Sequence, residues 1–187
     1  MSKNLTRTAI KASFMKLLNE RPLDKISIKD IVEDCGVNRN TFYYHFQDIY
    51  ALVQEIFEEE TRRVLSENPI QDQWQEAFIE ATRFAMENRR AVYHIYNSIS
   101  REQLERYLFQ VSEGLMGRFI QAQAEGLDVS EEDLHYTTVF YKHAVSGTIL
   151  EWLQNNMEED PVYAIRKMGT LFQGSIRRAL ENSSRKN

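Results

Sequence analysis

The sequence predicts an all-α fold: an N-terminal three-helix unit of helix-turn-helix type, followed by a C-terminal helical bundle. Three observations carry this. Seven glycines and three prolines in 187 residues are too few for a β-sandwich, which needs a turn roughly every 8–12 residues. No segment alternates apolar and polar residues with period two, whereas apolar residues recur at i, i+3, i+4 and i+7 along much of the chain. The mix of 42% hydrophobic and 27% charged residues is globular, which excludes a disordered tail and a collagen-like fibre.

The first helix is expected over residues 4–20, where Ile10, Phe14, Leu17 and Leu18 form a core-facing stripe. Pro22 stops it, because proline cannot continue a helix and disfavours helical geometry in the residue before it. Ser27 opens the second helix, and Asp30 three residues on completes a capping-box-like pair. Ile28, Ile31, Val32 and Cys35 then repeat with helical spacing, which makes Cys35 a small hydrophobe in a core rather than a reactive thiol. Gly36 ends this helix, and Asn38 caps a short third one over about 39–46, with Val37 and Phe42 at hydrophobic-staple positions. Helix, tight glycine turn and helix within some twenty residues is the helix-turn-helix plan. Longer amphipathic segments follow at roughly 48–66, 71–88, 89–97, 101–124, 131–156 and 161–182, with breaks at Asn68-Pro69, Glu125-Gly126 and Asp160-Pro161. The expected domains are 1–48 and 49–182, with a flexible polar tail over 183–187.

Composition sets further bounds. No run of 18 apolar residues offers a membrane span, and the N-terminus has no apolar segment of a secretory signal. A single cysteine excludes an intramolecular disulfide framework and a multi-cysteine zinc site. A cytoplasmic protein without cofactor or metal is expected. His94, His135 and His143 have no carboxylate or cysteine at helpful spacing. Gly-x-Gly-x-x-Gly, phosphate-loop, Gly-x-Ser-x-Gly and His-Glu-x-x-His motifs are all missing, so the chain does not read as an enzyme.

Charge is uneven. The whole chain carries −5, which argues against a polyanionic partner. Residues 1–50, however, hold eight cations (Lys3, Arg7, Lys11, Lys16, Arg21, Lys25, Lys29 and Arg39) against six carboxylates, a net +2. The other 137 residues carry 15 positive and 22 negative side chains, a net −7. Lys3, Arg7 and Lys11 fall four apart on one stripe, which taken alone reads as a solvated face.

The third helix is the informative element. With Phe42 at zero and about 100° per residue, Phe46 falls near ~40°, so the buried side is close to ~20°. Tyr44 and Asn40 lie on the far side, Tyr43 about a quarter turn from Phe42, and Thr41, His45 and Arg39 on the flanks. Two tyrosines beside Asn, Thr, Arg and His make a polar-tipped surface suited to phosphate oxygens and base edges in a major groove. Arg39 and Lys29 supply cations, Asn40 can pair with adenine, and the Thr41 methyl and tyrosine rings can meet thymine methyls. The competing structural reading packs Tyr43, Tyr44 and His45 against the next domain.

Residues 9–52 resemble the TetR/AcrR family of transcriptional regulators. The resemblance is carried by Ala9, Phe14, Leu17, the stretch Ile26–Val32, Leu52 and above all GVNRNTFYYHF at 36–46. That last run is similar to the family pattern Gly-Val-Ser-x-x-Thr-Phe-Tyr-x-His-Phe. It implies that Thr41, Tyr43, Tyr44 and His45 contact phosphates and bases, that Arg39 and Asn40 occupy variable specificity positions, and that Ser27 and Lys29 begin the buttressing helix. One position departs from the pattern. Where the family often carries a lysine that grips phosphate, this chain reads Gln47-Asp48-Ile49-Tyr50, and Asp48 is better suited to cap the fourth helix. The run Phe46–Tyr50 is also similar to the branch that regulates dihydroxyacetone kinase genes.

In the second half, Val139, Phe140, Ala144, Gly147, Leu150 and Leu153 form one seam. Ile165, Met168, Gly169, Phe172, Ile176 and Ala179 form another. Both seams can be the core of a single chain. The resemblance implies instead that the last two helices pair with a second copy, through Val139, Ala144, Gly147, Leu150, Ile165, Met168, Phe172 and Ile176. Aromatic density in the middle of the chain suits a small-molecule pocket, for which Trp74, Phe78, Tyr93, Tyr96, Phe109 and His143 are the candidates. The expected activity is a dimeric repressor on a palindromic double-stranded operator, released by a small-molecule effector. The alternative has a regulatory protein dock on the C-terminal domain.

Overall fold

The computed structural model describes residues 3–67, 74–98 and 100–184, the side chains of Lys3, Glu67, Ala77 and Ala81 excepted. The helices are α1 Lys3–Glu20, α2 Ile28–Cys35, α3 Arg39–His45, α4 Ile49–Glu67, α5 Trp74–Glu87 and α6 Arg89–Tyr96. They continue as α7 Arg101–Gln123, α8 Glu131–Gln154, α9 Pro161–Leu171 and α10 Ser175–Ser184. A single 3-10 turn, Leu23–Lys25, follows Pro22. No strand occurs among the described residues.

The chain forms two compact units. The first takes residues up to Glu60 together with Ala85–Arg106. It therefore reaches past the boundary expected at residue 48. The reason is apolar: Leu52, Val53 and Phe57 of α4 and Ala91, Val92 and Ile95 of α6 are buried with the α1–α3 core of Ile10, Phe14, Leu18, Ile31 and Phe42. Three short helices bury too little surface to close a core alone. Hydrogen bonds fasten α6 to the end of α1. Asn19 Nδ2 donates to Asn88 Oδ1 (3.2 Å), Ala91 N to Asn19 Oδ1 (3.2 Å), and His94 Nδ1 to the Leu18 carbonyl (2.7 Å).

Thr61–Phe84 and the residues from Tyr107 onward make the second unit. Its spine is α7, which buries Tyr107, Leu108, Val111, Leu115, Met116 and Ile120. Ser112 and Ser146 satisfy each other inside it (3.0 Å). Arg177 Nη1 donates to the carbonyls of Gln123 (2.6 Å) and Glu125 (2.9 Å), supplying partners at the end of α7.

The helix expected over 161–182 is two helices. Phe172 caps α9, and Gly174 takes φ +74°, a left-handed conformation that a side chain resists, so the 3.6-residue register is lost between Leu171 and Ser175. The helical periodicity of the sequence continued across this break and concealed it. Ser183 and Ser184, expected in the tail, belong to α10, while 185–187 lie outside the described residues. The Asn68-Pro69 break and residues 71–73 of the expected helix also lie outside them.

Candidate nucleic-acid interface

The turn between α2 and α3 is built by its caps. The Ser27 backbone N–H donates to Asp30 Oδ2 (2.8 Å) while Asp30 N donates to Ser27 Oγ (3.3 Å), the reciprocal pair that starts α2. Hydrogen bonds from Ser27 hold the Asp30 carboxyl below its ordinary range, with help from Arg21. Gly36 ends α2 at φ +70° with open space where a Cβ would stand, so glycine serves the backbone there rather than packing. Asn38 Oδ1 accepts from Thr41 N (2.8 Å) and from Thr41 Oγ1 (3.1 Å), starting α3.

Helix α3 is held from one side only. Phe42 is 0% exposed and Phe46 3% exposed; a fully buried phenylalanine stabilises by about 1.5–3 kcal/mol. On the other side Tyr43 is 56% and Tyr44 69% exposed, with Arg39 and Asn40 also exposed. The Tyr43 ring stands edge-on to Phe42 (5.8 Å), which sets its direction without covering it. The face deduced from helical geometry is thus open within the chain, and the reading that seals both tyrosines inside fails.

His45 is half-buried between the rings of Tyr44 (5.1 Å) and Phe46 (6.3 Å), and its Nδ1 is buried without a partner. Two hydroxyls of this surface are already engaged: Ser27 Oγ donates to Asp30 Oδ2 (2.6 Å) and Thr41 Oγ1 to Asn38. Thr41 retains its methyl group for an apolar contact.

The cations are the main surprise. Arg7 pairs with Glu55, Lys11 with Glu55 and Glu59, Lys16 with Asp34, Arg21 with Asp30, Lys25 with Asp24 and Lys29 with Glu33. Among the described side chains of residues 4–50, Arg39 is the cation with no carboxylate against it. The stripe of Arg7 and Lys11 is neither a solvated face nor a free basic one, because α4 lays two carboxylates on it. The pairs of Lys25 (3.4 Å) and Lys29 (3.7 Å) are exposed, and such pairs are worth about 0.2–1 kcal/mol, so phosphate can displace them. Asp48 accepts from Ala51 N (2.8 Å) and caps α4, so this helix begins with an anion.

The ligand-pocket candidates are divided between the two units. Tyr93 is exposed on α6, and Tyr96 is buried under Arg101 (4.4 Å), both in the first unit. In the second unit Phe109 and His143 form a ring pair (5.1 Å), and Phe78 is 1% exposed beside Trp74 (5.8 Å). A groove of about 880 Å³ does exist in the second unit, lined by Trp74, Phe119, Phe140, Tyr141, Met168 and Phe172 among others. Of the six candidates, Trp74 alone lines it.

Of the eight dimer candidates, Ile165 and Ile176 are buried within the chain. Val139, Leu150 and Met168 are half-buried, while Ala144, Gly147 and Phe172 are exposed. Sequence reasoning missed Tyr136, Tyr163 and Leu171, which with Phe140 and Phe172 are 56–68% exposed. The i, i+4, i+8, i+11 spacing of Tyr136, Phe140, Ala144 and Gly147 was the available signal. Among the described residues no cluster of metal-ligating side chains occurs, and no helix is long and apolar enough to cross a membrane.

Residues 12–56 match the family described as bacterial regulatory proteins, tetR family. Residues 72–174 match the family described as transcriptional regulator C-terminal region. The chain is 25% identical over 130 residues to the HTH-type dhaKLM operon transcriptional activator DhaS of Lactococcus lactis subsp. lactis (strain IL1403), covering 70% of this chain and 68% of that one. Among solved structures it is similar to the dihydroxyacetone kinase operon activator DhaS, with TM-score 0.77 and 20% identity over 92% of this chain and 97% of that one. It is also similar to Salmonella enterica GusR, with TM-score 0.62 and 22% identity over 97% and 98%. Both structural likenesses speak to the fold.

Proposed function

The chain belongs to the TetR family of DNA-binding transcriptional regulators, and from that premise we propose that it acts as a homodimer on a palindromic operator. Each α3 enters a major groove with Tyr43, Tyr44, Arg39 and Asn40 outward. The observation that carries this is the one-sided anchoring of α3, with two buried phenylalanines behind and two exposed tyrosines in front. Successive half-sites stand one helical turn, about 34–36 Å, apart, and one short helix binds too weakly alone, which calls for two copies.

The exposed aromatic face of α8 and the α9–α10 corner supports pairing with a second copy, because large apolar patches left in solvent mark contact surfaces. Working in the cytoplasm follows from a DNA partner. Control by a small effector is supported by the groove in the second unit. A second reading, activation through a docked protein, is supported by two facts: of the six expected pocket residues Trp74 alone lines the groove of the second unit, and the matched relative is named an activator. Repression thus has no support beyond the family pattern.

The test is selection of bound duplexes from a random pool, then footprinting of the recovered motif on DNA flanking the chain's own gene. A palindrome with half-sites one turn apart is expected. Recovery of no motif from a dimeric, folded sample would refute the reading. Adding candidate metabolites or cell extract fractions to the footprint separates effector from protein control.

A further inference from the structure

Arg7 touches three helices at once. It sits on α1; its Nε donates to Glu55 Oε1 of α4 (2.6 Å) and its Nη2 to Glu55 Oε2, a two-pronged pair. Its guanidinium also lies over the ring of Phe46, 5.4 Å from the centroid. Phe46 is the residue that closes α3, its N–H bonded to the Phe42 carbonyl (2.9 Å). One turn along α1, Lys11 Nζ stands 3.4 Å from Glu55 and 2.5 Å from Glu59.

We propose that Arg7 is a positioning residue for operator recognition: clamped by Glu55 and stacked on Phe46, it fixes the pose in which α3 is offered to DNA. The proposal rests on the reading of α3 as the recognition helix. Two cations face two carboxylates here, so the stripe projects little net charge toward a phosphate. The Glu55 side chain is only 15% exposed, so pulling Arg7 away to a phosphate leaves a shielded carboxylate with only the longer Lys11 contact (3.4 Å), which costs more than breaking an open surface pair. The planar fork also explains why arginine stands here. A lysine supplies one point charge and cannot grip both carboxylate oxygens while lying flat on a ring.

The test compares wild type, Arg7→Gln, Arg7→Lys, Glu55→Gln and the Arg7→Gln/Glu55→Gln double variant. The readouts are anisotropy titrations with the selected operator and with a random duplex, the salt dependence of each, and the melting temperature. Positioning predicts that Arg7→Gln and Glu55→Gln each weaken operator binding by about tenfold and leave random-duplex binding unchanged, with the double variant little worse than either. The log–log salt slope stays at the wild-type value, and Arg7→Lys recovers part of the loss.

If Arg7 instead grips phosphate, Arg7→Gln lowers the slope by about 0.9 per protomer and Glu55→Gln, by freeing the guanidinium, tightens binding. That pattern overturns the proposal. So does a purely stabilising role, in which the melting temperature falls but the ratio of operator to random-duplex affinity below it does not. Should wild type itself show no preference for any operator, the recognition reading falls and this inference with it. A wild type that discriminates while all variants match it defeats this inference alone.

Discussion

Arg39→Ala is the sharpest test of the electrostatics. Among the described side chains of residues 4–50 Arg39 has no carboxylate to leave, so its contact with DNA releases counterions with no ion pair to break. Removing one such contact per protomer makes the slope of log affinity against log salt shallower by about 0.9, or about 1.8 for a dimer. A hydrogen bond to a charged group contributes about 1.5–3 kcal/mol, so affinity at fixed salt falls by roughly tenfold or more per half-site. The melting temperature does not move, because the side chain is exposed. Anisotropy titrations of a labelled operator between about 50 and 200 mM salt read both quantities. Lys16→Gln is the control: its ammonium stands 2.5 Å from Asp34, and the slope holds at the wild-type value. Equal affinity and slope for Arg39→Ala and wild type refute the assignment. A change of slope in Lys16→Gln as large as in Arg39→Ala refutes the premise that the close pair with Asp34 keeps Lys16 from phosphate.

Tyr43→Phe removes one exposed hydroxyl, and operator affinity falls while the melting curve stays put; equal titrations reject its role. Gly36→Ala places a side chain at φ +70° with nothing to clash against, so the cost is conformational, about 1–2 kcal/mol, read in denaturant midpoints. Burial pushes the Glu55 carboxyl up, but hydrogen bonds and charge from Arg7 and Lys11 outweigh burial and hold it below the ordinary glutamate value of 4.5. A depressed folded-state value means stability present above that range and lost as pH falls through the folded value. Melting temperature therefore drops in acid, and drops less steeply in Glu55→Gln; parallel curves contradict this. Phe172→Glu places charge in the exposed aromatic face, and light scattering registers a monomer where wild type is a dimer; an unshifted mass rejects that face as the interface.

The cations show what pattern reading misses. A count of eight against six in the first fifty residues suggested a surface tolerant of polyanions, and the four-residue spacing of Arg7 and Lys11 suggested an outward stripe. The count and the spacing are both correct. Neither reveals that α4, more than forty residues on, brings Glu55 and Glu59 to that stripe.

Local chemistry was determined by the sequence alone. Caps at Ser27, Asn38 and Asp48, the glycine turn at Gly36 and the inward phenylalanines of α3 all depend on residues within four positions of one another, and their signals are short-ranged. Tertiary structure decided what met what. Periodicity tells which face of a helix is apolar, not which helix covers it, so Tyr96 went beneath Arg101, and Phe172 went to the surface at a corner made by Gly174. Partner choice is a property of the whole packed core, and no window along the chain contains it.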